Sequence, residues 1–410
     1  MPSLWDVLYL LAAPFLLGYL AISRLRGHPA RQDLSARLGR GPSLKPAKRR
    51  ILLHAVSVGE VNAIRGLVTQ LVDGEADIVI SVTTDTGMAR AQSLFADSCT
   101  VVRFPVDLSC AVRRFLDRIN PQVMVLVELE VWPNLIAACC KREIPVVVVN
   151  GRLSERSFLR YRLVAGLLRR VFGRLHSVGV QEAVYAERLA TLGVPRERMF
   201  VYGTMKWDNA VIRDDAAGAD ALASDMGIDR SMPLIVAGST APGEHELLRS
   251  SLPDGVQLLC GPRKPEWFDQ AASVLAGCTR RSSGRRGDSR LFLLDSIGEL
   301  TAAYALADVV VIGRSFVNMH GSDPADSIAL GKATVIGPHV SDFQDMVAAL
   351  VAGGGLEQCD AEGLPGILAA LLADPGKRSS LATSGRSVIR SHQGATTRYA
   401  GMVAEAMADA

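Results

Sequence analysis

The sequence predicts an α/β protein made of two doubly wound domains, and three observations predict it. Short β-branched runs alternate with helical stretches from Arg50 onward, the rhythm of a parallel sheet whose strands are buried on both faces. At 410 residues the chain is too long for one compact core, so two domains of roughly 150 to 200 residues are expected. A polar Ala-, Asp- and Gly-rich stretch (DDAAGADALASDMG) then separates two sets of such runs and puts a boundary near Asn209.

In the first set the expected strands are ILLHAVSV, ADIVISVTT, VVRFPV, VMVLVELE, PVVVVNG and HSVGVQ. In the second they are PLIVAGST, VQLLCGP, RLFLLD, ADVVVIG and KATVIGP, each followed by a helical stretch, as a βαβ chain requires. The segment 280–290 (RRSSGRRGDSR) reads as a solvated loop. The division is an anchor segment over 1–25, a first domain over 26–209 and a second over 210–410.

Residues 7–22 (VLYLLAAPFLLGYLAI) carry no charge and are followed by nine Lys or Arg against the single Asp33 up to residue 50. Sixteen apolar residues interrupted by Pro14 fit a monotopic or re-entrant helix as well as a crossing one. No basic stretch precedes the apolar run, which argues against a cleaved signal peptide. The basic flank places the following domains on the cytoplasmic side of the inner membrane. The net charge of +3 gives no footing for nucleic acid. Seven scattered cysteines without a CxxC pair suit a reducing compartment, with Cys139 and Cys140 read as packing.

Chemistry is expected at the strand ends, where such sheets hold ligands. His54-Ala-Val-Ser57-Val-Gly59-Glu60 ends a strand in a turn and delivers a carboxylate to the next helix; an ordinary first-turn helix charge is the alternative. Thr83-Thr84-Asp85-Thr86-Gly87 offers hydroxyls and amides to an anion. Glu128-Leu-Glu130-Val-Trp132-Pro133-Asn134 closes another strand, and residues two apart on a strand share a face. Two carboxylates on one face are costly unless paired or used, and an ion pair with nearby arginines is the alternative. Seven arginines from 152 to 174, among them Arg152 and Arg156, accompany only Glu155. A helix so charged suits a phosphorylated head group or an ordinary basic surface.

These motifs together resemble the Kdo transferases, which attach 3-deoxy-D-manno-octulosonic acid. SVGE, TTxTG, ELEVWPN, VNGRLSERSF with Tyr161, and Gly203-Thr-Met-Lys206-Trp-Asp208 occur in the family's order. Gly238-Ser239-Thr240-x-x-Gly243-Glu244, Pro262-Arg263-Lys264-Pro265-Glu266, Gly298-Glu299-Leu300, Ser315-Phe316-Val317 and Gly337-Pro338-His339 with Phe343 continue it. The resemblance implies the GT-B architecture, two Rossmann-like domains facing across a cleft. It also implies inverting, metal-independent transfer of Kdo from CMP-Kdo to a lipid A precursor in lipopolysaccharide core synthesis, with no cofactor. By the same resemblance Glu60 is the base, Glu128 and Glu130 lie near the reacting centre, and Lys206 stabilises the departing CMP phosphate. Ser57, Gly59, Arg152 and Arg156 fall on the acceptor side. Pro262, Arg263, Gly298, Glu299, Leu300, Asp323, Pro324, Ala325 and Asp326 fall on the donor side.

The donor-side motifs depart from the family together. The GGHNPLE-like loop reads His320-Gly321-Ser322-Asp323-Pro324-Ala325-Asp326, while Ala241 and Lys264 stand where the family has His. Asp323 puts a charge where a neutral amide is usual, close to an anionic donor. A different nucleotide-sugar donor is one alternative this raises. A catalytically silent membrane protein that binds lipid A is the other.

Overall fold

The computed structural model describes residues 3–11, 13, 33–284 and 290–410. They form two compact units, Met1–Asn209 with Gly394–Ala410, and Ala210–Gln393.

The first unit is built on a seven-stranded parallel sheet of order β3-β2-β1-β4-β5-β6-β7. Its strands are β1 Arg50–Ala55, β2 Asp77–Val82, β3 Thr100–Arg103, β4 Val123–Val127, β5 Val146–Gly151, β6 Ser177–Val180 and β7 Met199–Val201. Side chains on a strand alternate between faces, and the apolar runs therefore fill two cores. Leu52, Met124, Leu126, Val146 and Val148 join one cluster. Ile51, Leu53, Val123, Val125, Val147 and Val149 join the other. The strand order reverses between β1 and β4, which makes their carboxyl ends the ligand-binding position of this topology.

The second unit repeats the plan in the order β10-β11-β9-β8-β12-β13-β14. Its strands are β8 Leu234–Thr240, β9 Gln257–Pro262, β10 Thr279–Arg280, β11 Leu291–Leu293, β12 Val309–Ile312, β13 Ala333–Ile336 and β14 Glu357–Gln358. The reversal here lies between β8 and β12. All five strands expected in this half are present; β7, β10 and β14 are short edge strands that the sequence reading omits.

One boundary differs from expectation. The last helix, Ala395–Ala408, belongs to the first unit rather than to a second domain running to residue 410. Its residues Tyr399, Met402, Val403 and Ala406 cover one face of the first sheet. The Tyr399 hydroxyl donates to the Gly203 carbonyl at 2.8 Å, and Asp208 accepts from the Gly394 and Thr396 amides, each at 2.6 Å.

The expected anchor, 1–25, falls mostly outside the described residues, which omit residues 1, 2, 12 and 14–25 of it. Among the described residues no helix is long and apolar enough to cross a membrane. Residues 4–11 are helical and tied to the first unit. Asp6 accepts from the Ser109 amide at 2.8 Å and from Asn134 Nδ2 at 3.1 Å, and the Tyr9 hydroxyl donates to Asp107 at 3.0 Å. The expected single arginine-rich helix is two, Glu155–Leu163 and Ala165–Phe172. They part at the β-branched Val164, which leaves helical geometry at φ −116°, ψ 20°.

Candidate active site

In the first unit the site starts where β1 ends. Ser57 caps the helix Val58–Ala63, its hydroxyl donating to Glu60 Oε1 at 2.9 Å while the Val56 amide donates to Oε2 at 2.8 Å. With the Glu60 amide donating to Ser57 Oγ at 3.4 Å, this S-x-x-E turn is a variant of the capping box in which the carboxylate accepts from the residue before the cap. It fixes the Glu60 carboxylate at the mouth of the helix, where it is only 8% exposed. A carboxylate has about four lone-pair positions, so two bonds leave it able to accept a further proton. A side chain added at Gly59 would meet only Ser57 Oγ, at 3.7 Å, so the approach past this turn is open. Burial pushes the Glu60 carboxyl up, the Val56 and Ser57 hydrogen bonds oppose it, and the charge of Glu128 adds to the rise.

Glu128 and Glu130 reach Glu60 by a route different from the expected one. β4 stops at Val127 and Glu128 has φ 57°, so the two carboxylates leave on a tight turn and strand alternation does not orient them. They converge nonetheless. Burial raises the Glu128 carboxyl, and the Arg152 and Lys206 charges pull it back. Burial, then the charges of Glu60 and Glu128, push Glu130 up to about 7. Tyr161 is raised by burial and by Glu130. The turn thus gathers Glu60, Glu128, Glu130, Arg152, Lys206 and Tyr161. Arg156 lies exposed on the following helix, Glu155–Leu163.

Asn150, which sequence reasoning passed over, sets Lys206 in place. It is the last residue but one of β5, buried, with φ 55°, and its Oδ1 accepts from the Met205 amide at 3.2 Å. That bond orders the turn Met205–Asn209, which carries Lys206 between buried Met205 and Trp207. Asn before Gly, a residue type enriched at left-handed backbone positions, is the one signal the sequence offers there.

A stability test follows from Glu130. Its folded pKa stands at about 7 against an ordinary 4.5, so its contribution to stability is present below the lower value and is lost as pH rises through the upper one. Glu130→Gln removes that loss. Denaturant unfolding should show the variant gaining on the parent by on the order of 2 kcal/mol between about pH 4 and pH 8.

In the second unit the expected donor residues also lie at strand ends. Pro262 ends β9 and Arg263 follows it, exposed, its amide donating to the Thr240 carbonyl at 2.9 Å. The charges of Asp326, Asp323 and Arg263 all act on the fully buried hydroxyl of Tyr304, whose pKa burial raises strongly. Asp323, Asp326 and Arg263 therefore all lie near the Tyr304 hydroxyl. Asp323 has a structural task as well, since its Oδ1 accepts from the Ala325 amide at 2.9 Å before the helix Ala325–Ala329. Pro324 and Ala325 are buried beneath it. Gly298 takes φ 96° ahead of the helix Leu300–Leu306. The Glu299 side chain is engaged by Arg281 at 3.0 Å and by the Ser296 hydroxyl, so this residue has its backbone left to offer.

Residues 32–209 match the family model for 3-deoxy-D-manno-octulosonic-acid transferase, or Kdo transferase. The chain is 31% identical over 409 residues to the 3-deoxy-D-manno-octulosonic acid transferase of Haemophilus influenzae, with 95% of each chain covered. The protein belongs to the Kdo transferase family. The Bordetella pertussis enzyme of the same name is 32% identical over 388 residues, spanning 88% of this chain and 89% of its own. Solved structures add the fold. Anabaena HepE in complex with UDP aligns over 88% of this chain and all of its own at a TM-score of 0.57 and 14% identity. A Rickettsia africae glycosyltransferase aligns over 88% and 98% at 0.58 and 10%.

One motif of this Kdo transferase family member is structural where an anion site was expected. Thr84 caps the helix Asp85–Phe95, accepting from the Gly87 amide and donating to the Val56 carbonyl at 2.8 Å. Asp85 pairs with Arg103 at 2.9 Å. The threonine turn thereby braces the backbone beside Glu60.

Proposed function

We propose that the protein is an inverting, metal-independent transferase that moves Kdo from CMP-Kdo to a lipid A precursor at the cytoplasmic face of the inner membrane. The observation that carries this reading is the buried carboxylate of Glu60, fixed at the switch point of the first sheet. With Glu128, Glu130, Lys206 and Arg152 around it, it has the raised pKa and fixed position of a general base for an acceptor hydroxyl. Deprotonation there lets the hydroxyl oxygen attack the anomeric carbon as the bond to the CMP phosphate breaks. Incubating the purified chain with CMP-Kdo and a lipid A precursor, and weighing the lipid product by mass spectrometry, tests it; no added Kdo would sink it.

A membrane surface is supported by exposed apolar side chains set among cations. Leu163 is 86% exposed, with Leu159 and Val164 about half exposed, on the helices that carry Arg156, Arg160, Arg162, Arg169 and Arg170. Leu10 and Leu11 are exposed on the N-terminal helix. Apolar side chains ringed by Arg suit an anionic bilayer surface. Failure of the full chain to float with anionic vesicles would remove this part of the reading.

Asp323 favours a second reading, the same chemistry with another nucleotide-sugar. With CMP as the right nucleotide, thermal shift should rank CMP above UDP and GDP. Asp323→Asn keeps the bond to the Ala325 amide, since the Asn side-chain oxygen accepts as the Asp oxygen does, and removes one negative charge. CMP affinity should then rise by about twofold to fivefold. A preference for UDP or GDP overturns the choice of donor.

A further inference from the structure

The second unit has its own counterpart of Glu60. Glu244 opens the helix that follows β8, the first strand of its sheet, as Glu60 lies in the helix after β1. Both follow a glycine, and both accept from a backbone amide just upstream. Their surroundings then differ. Glu244 is 1% exposed, and both its oxygens are fully engaged by backbone. Oε2 accepts from the Ala241 amide at 2.9 Å and the Arg314 amide at 2.7 Å, and Oε1 accepts from Ser315 and Phe316, each at 2.9 Å.

Those last three amides are successive, and Arg314 has φ 60°. Consecutive N–H groups turned inward around a left-handed residue form a nest, a concavity that binds anions. It lies at the end of β12, across the strand-order reversal from β8. The approach is too close for a side chain, because a Cβ on Gly313 would come within 2.5 Å of the Thr240 Cα. Beyond the nest, Ser315 Oγ accepts from the Gly337 amide at 2.8 Å, the Gly321 amide donates to the Arg314 carbonyl at 3.0 Å, and Arg314 Nη2 donates to the Met319 carbonyl at 2.7 Å. The backbone that enters the 320–326 loop is therefore tied to the residues Glu244 holds.

We propose that Glu244 is a positioning residue of the donor site: its carboxylate fills the 314–316 nest from inside the protein and so sets the backbone of the loop that receives the nucleotide-sugar. This rests on the reading above that the second unit holds the donor. It assigns the two equivalent glutamates opposite tasks. Glu60 keeps acceptor capacity toward the reaction, and Glu244 uses all of its own on backbone. A nest already filled also leaves the donor's anionic groups to Arg263 and the amides at 298–300.

Calorimetric titration of the full chain with CMP tests this, using the parent, Glu244→Gln and Glu244→Ala, each with and without sodium formate. Gln puts an NH2 group against two amide donors, and Ala leaves four amides unmet. Both variants should bind CMP about tenfold or more weakly. Formate, which can occupy the emptied nest, should restore most of the affinity of Glu244→Ala and raise its melting temperature, with no such effect on the parent. A general loss of stability would reduce the binding-competent fraction and leave the Kd of the folded remainder unchanged. If Glu244→Ala folds only with formate, its melting temperature reads the same nest and supports the assignment. Folded variants that bind CMP as the parent does overturn it, and so does weakened binding that formate leaves unchanged. No CMP binding by the parent would instead overturn the donor reading.

Discussion

Replacing Glu60 by Gln lowers kcat for Kdo transfer by roughly 10²- to 10⁴-fold, the usual contribution of a positioned general base, while CMP binding and the melting temperature stay close to those of the parent. The substitution is clean because of how Glu60 is held. Gln serves the capping box as Glu does, with its carbonyl oxygen accepting from the Val56 amide in place of Oε2, which now does so at 2.8 Å. The Ser57 hydroxyl, which now donates to Oε1 at 2.9 Å, can rotate and accept from the new NH2 group. What disappears is the ability to take a proton. Steady-state transfer measured by mass spectrometry, beside a thermal melt, separates the two roles. Full activity in Glu60→Gln would reduce this residue to a helix cap and return the base to Glu128 or Glu130.

The rhythm of the fold was legible because burial on both faces forces it. Strands such as VVVV and VMVLV are apolar throughout because helices cover the sheet on both faces. The edge strands β7, β10 and β14 lacked that signal, being two or three residues long and partly exposed. The return of Ala395–Ala408 to the first unit was hidden for another reason. Its apolar spacing shows that one face is covered and carries no information about which sheet covers it. At the site, Ser57-Val-Gly59-Glu60 was readable since a capping box is local in sequence. Strand alternation misjudged how Glu128 and Glu130 leave β4, because a left-handed turn at Glu128 left no mark beyond the residue itself. Asn150 and Glu244 act through backbone groups that are 55 and about 70 residues away, and only the folded chain displays such pairs.

Lys206→Met is expected to cost about 10²-fold or more in kcat and also to move the acidic limb of the pH–rate profile to higher pH. The first effect follows from its proposed task of stabilising the phosphate charge that develops as CMP departs. The second follows from the charges that act on Glu128. Glu128 is half-buried, and its carboxyl is kept from rising further by Arg152 and Lys206. Glu130, in turn, is pushed up by Glu60 and Glu128. Removing one cation from three coupled carboxylates makes the set as a whole release its protons at higher pH. A base must be ionised to act, so activity is lost at a higher pH in the variant as the solution is acidified. Lys206→Arg retains the charge and should return the limb toward the parent's position. Its longer, planar head group keeps part of the kcat deficit. The two readouts divide the roles of the lysine. A shifted limb with an unchanged plateau at high pH leaves Lys206 as a counter-ion for Glu128 alone, and a lowered plateau with an unmoved limb assigns it to the leaving group alone. If limb and plateau both match the parent, Lys206 is outside the catalytic group, and the convergence of charges around Glu128 has to be explained by Arg152.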